Sequence, residues 1–321
     1  MQISFLSLFL CTAARASFVG INLGNCLEAP TEGAWAPVAQ DYYFDDYVAE
    51  GFTRVRVPVR WDEHMGTTPP YAIDATFMAR VHEVVGWGLS RNLTVVVNSH
   101  HDDWIDSEAN FSAQLPRFLA LWRQVADSFS TAPPSLLFEV INEPVSLTLA
   151  QLNQLYSGVV PLMRASNPTR PIYLGGLSWM SPYWIAKNPD GVVFPPLPSG
   201  APDPSLRLEV HSYDPYAFCL QDPPTASTWG SPSDIATVTT MYTDLAAWAA
   251  NHSNRVVYMG EAGCQVKAPS RQDRLLWYKT VGAASKAVEG ITIWDDYGSY
   301  KVYDRVARTW DKEVLQALFG N

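Results

Sequence analysis

The sequence predicts a single-domain (β/α)8 TIM barrel. Short apolar, β-branched segments alternate with longer helical segments along the chain, as in a barrel of repeated strand–helix units. The strand segments are continuously apolar, which is typical of parallel strands buried on both faces. The length of 321 residues is normal for one such barrel, and no internal repeat or long linker divides the chain. The barrel domain is therefore predicted to span residues 17–321.

Each element of this barrel has its own signal in the sequence. The predicted strands are residues 18–23, 53–59, 93–98, 136–141, 171–174, 206–211, 255–259 and 290–294. The predicted helices are residues 38–50, 74–91, 111–129, 148–165, 234–250, 271–287 and 312–318, with a weaker helical pattern at 181–187. Asp74 and Thr148 are predicted N-caps, because short polar side chains accept hydrogen bonds from free helix amides. An open doubly wound sheet is disfavoured, since residues 20–24 lack the third glycine of its phosphate-binding turn.

The composition restricts the class of partner. Hydrophobic residues make up 47% of the chain, so it can bury a large core and is not expected to be disordered. The formal net charge of -10 repels phosphate backbones, and a nucleic-acid partner is therefore not expected. The 12 Trp and 15 Tyr offer flat rings that stack on sugars, although such rings also pack cores.

The first sixteen residues predict a signal peptide. An apolar run at residues 3–11 precedes Ala14-Arg15-Ala16, which is a small-x-small cleavage pattern. No later segment is apolar for the length that a membrane span needs. Three glycosylation sequons, at Asn92, Asn110 and Asn251, also fit a secreted chain. The sequence therefore predicts a secreted, extracellular protein with no membrane partner.

Three cysteines would remain after removal of that segment: Cys26, Cys219 and Cys264. An odd number excludes a complete disulfide framework. One bridge, Cys219–Cys264, with a free Cys26 is one possible arrangement, but the sequence does not determine the pairing. No C-x-x-C or H-x-x-x-H spacing occurs, so a cysteine- or histidine-based metal site is disfavoured.

Polar residues collect where the predicted strands end. In barrels of this kind the active site is built at the carboxyl ends of the strands. Ionisable groups at nearly every strand end therefore predict a shared site. The candidates, in chain order, are Arg56, His100, His101, Asn142, Glu143, His211, Tyr213, Glu261 and Trp294.

Two of these residues, Glu143 and Glu261, follow strands four and seven and are predicted to face each other across the barrel mouth. Glycoside hydrolysis needs such a pair, with one proton donor and one carboxylate for the anomeric carbon. In the retaining mechanism the two carboxyl groups are about 5–5.5 Å apart. Arg56 and Tyr213 are candidates to stabilise the charge of the ionised nucleophile. Paired carboxylates at this site therefore predict a retaining glycosidase.

Each candidate also has an ordinary structural explanation. A lone glutamate at a strand end more often caps a helix or forms a salt bridge, and a lone tryptophan is more often core. His100 and His101, with Asp102 and Asp103, are a conceivable metal site. We disfavour it because adjacent residues on an extended strand point to opposite faces. It is the joint occurrence of these residues that favours catalysis without a metal or other cofactor.

With these residues in place, the sequence resembles glycoside hydrolase family 5, of the clan with two glutamates on strands four and seven. The matching functional set is Arg56, His100, Asn142, Glu143, His211, Tyr213, Glu261 and Trp294. Residues 20–30, 117–122 and 302–304 are similar to a group of bacterial endo-β-1,4-glucanases, some of which also cleave mannans. The resemblance covers nearly the whole chain after residue 16.

The resemblance implies a role for each site residue. Glu143 would be the acid/base, Glu261 the nucleophile, and Asn142 would hold the sugar 2-hydroxyl. His211 and Tyr213 would orient the carboxylates, and Arg56 would keep Glu261 ionised. His100, His101 and Trp294 would line the subsite on the non-reducing side, with Asn25 and Glu28 further along the cleft. Trp229 would be a stacking platform on the opposite side.

Four positions depart from the relatives and make the substrate preference uncertain. They are Ala262 after the nucleophile, Asp295 and Asp296 after the strand-eight tryptophan, and Leu220 where a histidine is often found. The leading expectation is a retaining endo-β-1,4-glucanase that acts as a monomer on cellulose-like or mixed-linkage chains. An endo-β-1,4-mannanase or a dual enzyme is the alternative, because mannose differs from glucose only at the 2-hydroxyl. A catalytically inactive carbohydrate-binding protein is the second alternative.

Overall fold

The predicted parallel barrel is confirmed. The computed structural model describes residues 18–320, so the predicted signal peptide at residues 1–16 lies outside the described residues. Eight parallel strands form a closed barrel in sequence order, and β1 pairs with both β2 and β8. The strands are β1 (Phe18–Asn22), β2 (Arg54–Val57), β3 (Thr94–Asn98), β4 (Leu136–Glu139), β5 (Ile172–Gly175), β6 (Leu206–Ser212), β7 (Val257–Ala262) and β8 (Gly290–Ile293).

Helices connect the strands around the outside of the barrel. They are α1 (Tyr42–Ala49), α2 (Ala75–Ser90), α3 (Phe111–Ser128), α4 (Leu149–Ser166), α5 (Leu177–Met180), α6 (Pro182–Lys187), α7 (Tyr216–Cys219), α8 (Pro232–Asn251), α9 (Arg271–Ala284) and α10 (Lys312–Phe319). A short antiparallel pair, β9 (Tyr303–Asp304) and β10 (Thr309–Trp310), precedes α10. The weak pattern at 181–187 is thus a real helix, α6.

Both predicted N-caps are confirmed. The Asp74 side chain accepts a hydrogen bond from the Phe77 amide. Thr148 and Gln151 form a capping box, in which each side chain accepts a hydrogen bond from the other residue's amide. These bonds satisfy amides that have no partner within the helix and define where α2 and α4 begin.

The seventh strand differs from its prediction. The apolar run ends at Met259, but β7 continues to Ala262 and its pairing with β8 is irregular between those two residues. Gly260 makes this possible, because a Cβ at that position would collide with the Glu209 carboxylate on β6. Glu261 therefore lies within β7 rather than after it.

The two ends of the barrel interior differ: one holds aromatic rings around a buried ion pair, and the other holds a polar cleft. Near the amino ends of the strands, the Arg54 guanidinium lies 3.3 Å from the Phe18 ring centroid and 4.8 Å from that of Tyr258. Glu289 supplies its counter-charge, at 3.3 Å from Arg54. Arg54 is thus stacked on aromatic rings and paired with Glu289, so this end of the barrel contains no unpaired buried charge from this arginine. The polar end forms the site described below.

Two further expectations concern the cysteines and the membrane. Cys219 and Cys264 form a disulfide, and Cys26 is a buried free thiol. The bridge ties the end of α7 to the residues that follow β7. Among residues 18–320, no helix combines the length and apolar character needed to cross a bilayer.

Candidate active site

A cleft of about 770 Å³ opens at the carboxyl ends of the strands. It brings together eight of the predicted residues: His100, His101, Asn142, Glu143, His211, Tyr213, Glu261 and Trp294. Eight lining residues were not among the predicted site residues: Ser178, Trp179, Ser181, Ser212, Asp214, Tyr216, Leu220 and Tyr300. The strand-end argument thus identified one half of the lining, and most of the other half lies in the segments that follow β5, β6 and β8.

Glu143 and Glu261 face each other in this cleft. A carboxylate oxygen of each, together with a ring nitrogen of His211, lies within 4.8 Å of the other two. The Glu143 backbone has a φ of 44° just after β4, a left-handed conformation that few non-glycine residues adopt. Such strain is common at functional sites. This proximity is compatible with the carboxyl separation of about 5–5.5 Å in retaining glycosidases.

Two hydrogen bonds hold the Glu261 carboxylate. Arg56 Nη1 donates to Oε1 at 2.6 Å, and the Tyr213 hydroxyl donates to Oε2 at 2.7 Å. Burial alone would raise the pKa of Glu261, but the positive charges of His211 and Arg56 and the bond from Tyr213 lower it below its usual value. Glu261 is therefore ionised at neutral pH.

Glu143 has the opposite electrostatic environment. Burial raises the pKa of its carboxyl group, and the negative charge of Glu261 raises it further. His211 opposes this shift, because its Nδ1 lies 2.8 Å from Glu143 Oε1. The two glutamates therefore have pKa values displaced in opposite directions, which is the pattern of an acid and a nucleophile in one site.

His211 lies between three carboxylates. Its Nδ1 is 2.8 Å from Glu143 and 3.8 Å from Glu261, and its Nε2 is 3.4 Å from Glu209. Burial would lower the pKa of the imidazole, but Glu261, Glu143 and Glu209 outweigh it and raise that pKa to about 10. The ring therefore carries a positive charge at neutral pH and donates from both nitrogens.

Arg56 connects Glu261 and Asn142 to the barrel interior. Its Nε and Nη2 donate to the Glu139 carboxylate at 2.6 and 2.7 Å, in a bidentate pair. Nη2 also donates to Asn142 Oδ1 at 2.7 Å. Because that oxygen is occupied, the Asn142 amide nitrogen is left to donate into the cleft. Arg56 has no exposed surface and is satisfied entirely by protein groups.

Sequence reasoning missed two carboxylates with no exposed surface: Glu139, the last residue of β4, and Glu209 within β6. It considered the ends of the predicted strands 136–141 and 206–211, and both glutamates precede those predicted ends. A charged residue within an apolar strand was the signal that could have identified them. Together with Arg56 they form a layer of buried ionisable groups beneath the cleft, with Glu209 Oε1 at 3.7 Å from Arg56 Nε.

His100, His101 and Trp294 form one wall of the cleft. The rings of His100 and Trp294 are nearly parallel, with centroids 6.0 Å apart. His101 has a φ of 57°, and its ring lies 4.6 Å from that of His100. The expectation that adjacent residues point to opposite faces is therefore wrong here, because the left-handed residue turns both rings to the same cleft.

The shared orientation of His100 and His101 does not favour a metal site at these residues. Asp102 is buried and accepts hydrogen bonds from the Ser99 hydroxyl and the Trp104 indole. Within residues 18–320, the groups of three potential ligands are Glu139–Glu209–His211 and Glu143–His211–Glu261, neither of which includes His100 or Asp102. Arg56 contacts members of both groups and supplies their positive charge.

Two of the more distant expectations are wrong. Glu28 has no exposed surface, and its two oxygens accept hydrogen bonds from the Asn25 and Cys26 amides, so it shapes the loop and does not face sugar. Trp229 is 5% exposed and packs in the hydrophobic core, so it offers no face to the cleft. Asn25 is partly exposed, and its side-chain amide donates to the Asp296 carbonyl.

Trp179 and Tyr216 provide the exposed aromatic faces that Trp229 lacks. They are 62% and 58% exposed, respectively, and both line the cleft. Trp179 lies in a run of three left-handed residues, Ser178–Met180, which turns its ring outward after β5. Sequence patterns do not distinguish a buried from an exposed tryptophan in a loop, and the exchange of roles between Trp179 and Trp229 follows from tertiary packing alone.

The departures from the relatives also have structural explanations. Asp295 is fully buried, pairs with Arg305 at 3.0 Å and accepts hydrogen bonds from the Val302 and Tyr303 amides. It therefore anchors the segment after β8. Leu220 lines the cleft and presents an apolar side chain there.

A closed parallel barrel whose strand ends present two facing glutamates of opposite pKa shift defines the class of barrel glycosidases. The comparison with known families gives the particular one. The chain belongs to glycosyl hydrolase family 5, the cellulase family, whose model matches residues 17–296.

Individual relatives agree with this membership. Endoglucanase H of Acetivibrio thermocellus is 39% identical over 316 residues, which cover 95% of this chain and 33% of that protein. This chain thus spans about a third of the length of that relative. Among solved structures, the endoglucanase Cel5A of Thermotoga maritima is 30% identical in a complex with mannotriose, with a TM-score of 0.85 over 95% of this chain and 98% of that one. Its complex with cellobiose gives a TM-score of 0.84 at 30% identity, over 94% and 97% of the respective chains.

Proposed function

We propose that this protein is a retaining endo-β-1,4-glucanase that hydrolyses cellulose-like or mixed-linkage chains. The observation that carries the proposal is the close approach of Glu143 and Glu261, whose oxygens lie within 4.8 Å and whose pKa values shift in opposite directions. This combination matches the short carboxyl separation of retaining enzymes. Family membership and the named endoglucanases support the same reaction.

In the first step, the Glu261 carboxylate attacks the anomeric carbon while Glu143 protonates the departing glycosidic oxygen. Arg56 and Tyr213 keep Glu261 ionised before the attack. Glu143 becomes anionic as it loses its proton, and the adjacent His211 imidazolium stabilises that charge. The products are a covalent glycosyl-enzyme and a free reducing-end fragment.

In the second step, Glu143 acts as a base on a water molecule, which attacks the anomeric carbon and releases Glu261. Two inversions give net retention of configuration. The Asn142 amide, oriented by Arg56, donates to the sugar 2-hydroxyl, and this contact strengthens as the oxocarbenium-like transition state forms.

Two variants test the assignment. Glu261→Gln is expected to abolish turnover while oligosaccharide binding and folding persist. Glu143→Gln is expected to lose activity on polymers but to retain it on substrates whose leaving group needs no proton. Proton NMR during hydrolysis by the unmodified protein should show the β-anomer first. Normal hydrolysis of polymer by both variants would remove the assignment, and so would initial release of the α-anomer.

A dual specificity for glucan and mannan is the second candidate. It is favoured by the Thermotoga maritima Cel5A structures, one of which is in complex with mannotriose and another with cellobiose. Leu220 presents an apolar side chain to the cleft, whereas strong discrimination between these sugars requires polar contacts. Side-by-side assays on carboxymethylcellulose, barley glucan, glucomannan and galactomannan separate the candidates. Activity confined to galactomannan would contradict the glucanase proposal.

We further propose that the protein is secreted and acts as a monomer. The Cys219–Cys264 disulfide supports an oxidising compartment. A single chain supplies both carboxylates and all the cleft residues described above, so the reaction does not require a partner subunit. Sedimentation of the purified protein tests the oligomeric state, and N-terminal sequencing of exported protein tests the cleavage after Ala16.

A further inference from the structure

Asp106 lies in the segment between β3 and α3, outside the cleft lining described above. Its carboxylate accepts hydrogen bonds from three successive backbone amides: Oδ2 from Val145 at 2.9 Å, and Oδ1 from Ser146 at 2.9 Å and from Leu147 at 3.1 Å. Hydrogen bonds to an ionised acceptor are about twice as strong as those between neutral groups. A single side chain therefore holds the whole segment that follows the Glu143–Pro144 pair.

The backbone of Glu143 needs such outside support. Its φ of 44° lies in the left-handed region, which few non-glycine residues adopt. Pro144 follows it, and a residue before proline prefers an extended backbone. A residue in a disfavoured conformation persists only where the surrounding contacts fix it. The contacts around this turn therefore decide where the Glu143 carboxyl group lies.

The segment after β3 holds this turn on both sides. Before the turn, the Asn142 amide donates to the Ser99 carbonyl at 2.9 Å. After it, the three amides donate to Asp106 as described. Further along, Gln151 Nε2 donates to the Glu108 carbonyl at 3.0 Å, so the start of α4 is fastened to the same segment.

That segment is itself fixed by Asp102. The buried Asp102 side chain accepts a hydrogen bond from the Ser99 hydroxyl at 2.8 Å. Its carbonyl accepts from the amides of Ile105 and Asp106, at 2.9 and 2.8 Å. The two anchors of the turn, Ser99 and Asp106, thus belong to one hydrogen-bonded unit. Loss of the Asp106 carboxylate would release one side of the turn while the other side stays held.

We propose that Asp106 is a positioning residue for the reaction: its carboxylate fixes the turn after β4 so that Glu143 reaches the glycosidic oxygen that it protonates. This inference rests on the proposed function, because the proton transfer belongs to that assignment. The transfer requires the two heavy atoms to approach to about 2.6–3.2 Å. A displacement of about 1 Å can cost a hundredfold in rate, so the support of this turn matters for catalysis.

Two cellobiosides that differ only in the leaving group test this role. Dinitrophenolate departs without a proton, whereas phenolate departs with the help of Glu143, and kcat/KM reports this first step for both. We expect Asp106→Ala to lower kcat/KM for phenyl β-cellobioside by about ten- to hundredfold. The value for dinitrophenyl β-cellobioside should stay within about twofold, because both substrates occupy the same sugar subsites.

Azide gives a second readout on the dinitrophenyl substrate. In the second step its nitrogen would form the bond to the anomeric carbon as the bond to Glu261 breaks, so no base is needed. Azide should therefore raise kcat of Asp106→Ala and give β-cellobiosyl azide as a product. A general loss of structure would produce neither effect.

Two further variants serve as controls. Asp106→Asn keeps one acceptor oxygen, so it should show the same leaving-group dependence at smaller magnitude. Asp304→Ala is the matched control, because the Asp304 carboxylate also accepts two loop amides, from Val306 at 3.2 Å and Ala307 at 2.9 Å, between β9 and β10. It should leave kcat/KM unchanged for both substrates. Equal losses on the two substrates in both Asp106 variants would overturn the inference, and so would no loss in either.

The Glu143→Gln variant separates this inference from the proposed function. It should show the same leaving-group dependence as Asp106→Ala, at larger magnitude. If Glu143→Gln shows this dependence and the Asp106 variants do not, the inference alone is contradicted. If Glu143→Gln does not show it, or if the unmodified protein hydrolyses neither cellobioside, the proposed function is contradicted and the inference with it.

Discussion

The Glu209→Gln variant gives the most direct test of the layer of buried ionisable groups formed by Arg56, Glu139 and Glu209. Glu209 has no exposed surface, and its Oε2 has no hydrogen-bond partner. Its Oε1 lies 3.4 Å from His211 and 3.7 Å from Arg56. Burial raises the pKa of this carboxyl group from 4.5 to about 8, and the charge of Glu139 contributes to the same shift.

The sign of the effect follows from proton binding. Between pH 4.5 and 8 the native state keeps the proton on Glu209, whereas the unfolded chain has released it. The free energy of unfolding therefore falls as the pH rises through this interval. A difference of one between the native and unfolded pKa values corresponds to about 1.4 kcal/mol. The free energy of unfolding therefore falls by up to about 5 kcal/mol by pH 8. This value is an upper limit for the exchange of one proton.

A glutamine at this position cannot ionise. The stability of Glu209→Gln relative to the unmodified protein should therefore increase from about pH 5 to about pH 9, by more than about 1 kcal/mol. Urea unfolding followed by tryptophan fluorescence at both pH values measures the difference. An equal difference at the two pH values would refute the reasoning.

Glu139→Gln is the matched control within the same layer. Glu139 forms a bidentate pair with Arg56, so its replacement leaves a buried guanidinium with less counter-charge. We expect a loss of about 3–5 kcal/mol at both pH values. Stabilisation of Glu139→Gln at high pH would contradict the distinction between Glu139, which pairs with Arg56, and Glu209, which does not need its charge.

Four further predictions concern other parts of the molecule. Arg56→Lys should lower kcat/KM by at least about tenfold, because an ammonium group cannot reproduce the fork that binds two carboxylates; steady-state kinetics would check this, and unchanged kcat/KM would contradict it. Replacement of both Cys219 and Cys264 by serine should lower the free energy of unfolding by about 4 kcal/mol, since the bridge closes a loop with a sequence separation of 45; equal urea midpoints would contradict this. Thr148→Ala should cost about 1 kcal/mol of stability through loss of the capping box, with no change in kcat; a stability loss below the error of urea unfolding would contradict it. Excess chelator should leave turnover unchanged, because acid–nucleophile catalysis by two carboxylates requires no metal; loss of activity that added metal restores would contradict it.

The sequence predicted the barrel and the approach of Glu143 to Glu261 for identifiable reasons. Buried parallel strands have continuous apolar runs, and residues that follow them meet at one end of the barrel. That rule brought Glu143, His211 and Glu261 together without any knowledge of contacts. It identified Arg56 as well, because a cation within an apolar strand needs a partner.

The remaining features depend on local geometry or on long-range packing. The left-handed backbone of His101 removes the alternation of side-chain direction that an extended strand would give. Histidine is not a residue type that predicts this conformation. The extension of β7 past Gly260 depends on the room that Glu209 needs on the neighbouring strand. Trp229 and Trp179 are alike in sequence terms, yet packing buries one and exposes the other.

Closure of the barrel has a consequence for biosynthesis. β1 pairs with β8 from Phe18↔Gly290 to Ile21↔Ile293, so the first strand finds one of its two neighbours only after the six intervening strands have been synthesised. Until then the nascent chain carries an open strand edge, which is the kind of surface on which polypeptides aggregate. Slow synthesis, or export before the last strand emerges, would therefore favour chaperone engagement of the amino-terminal half.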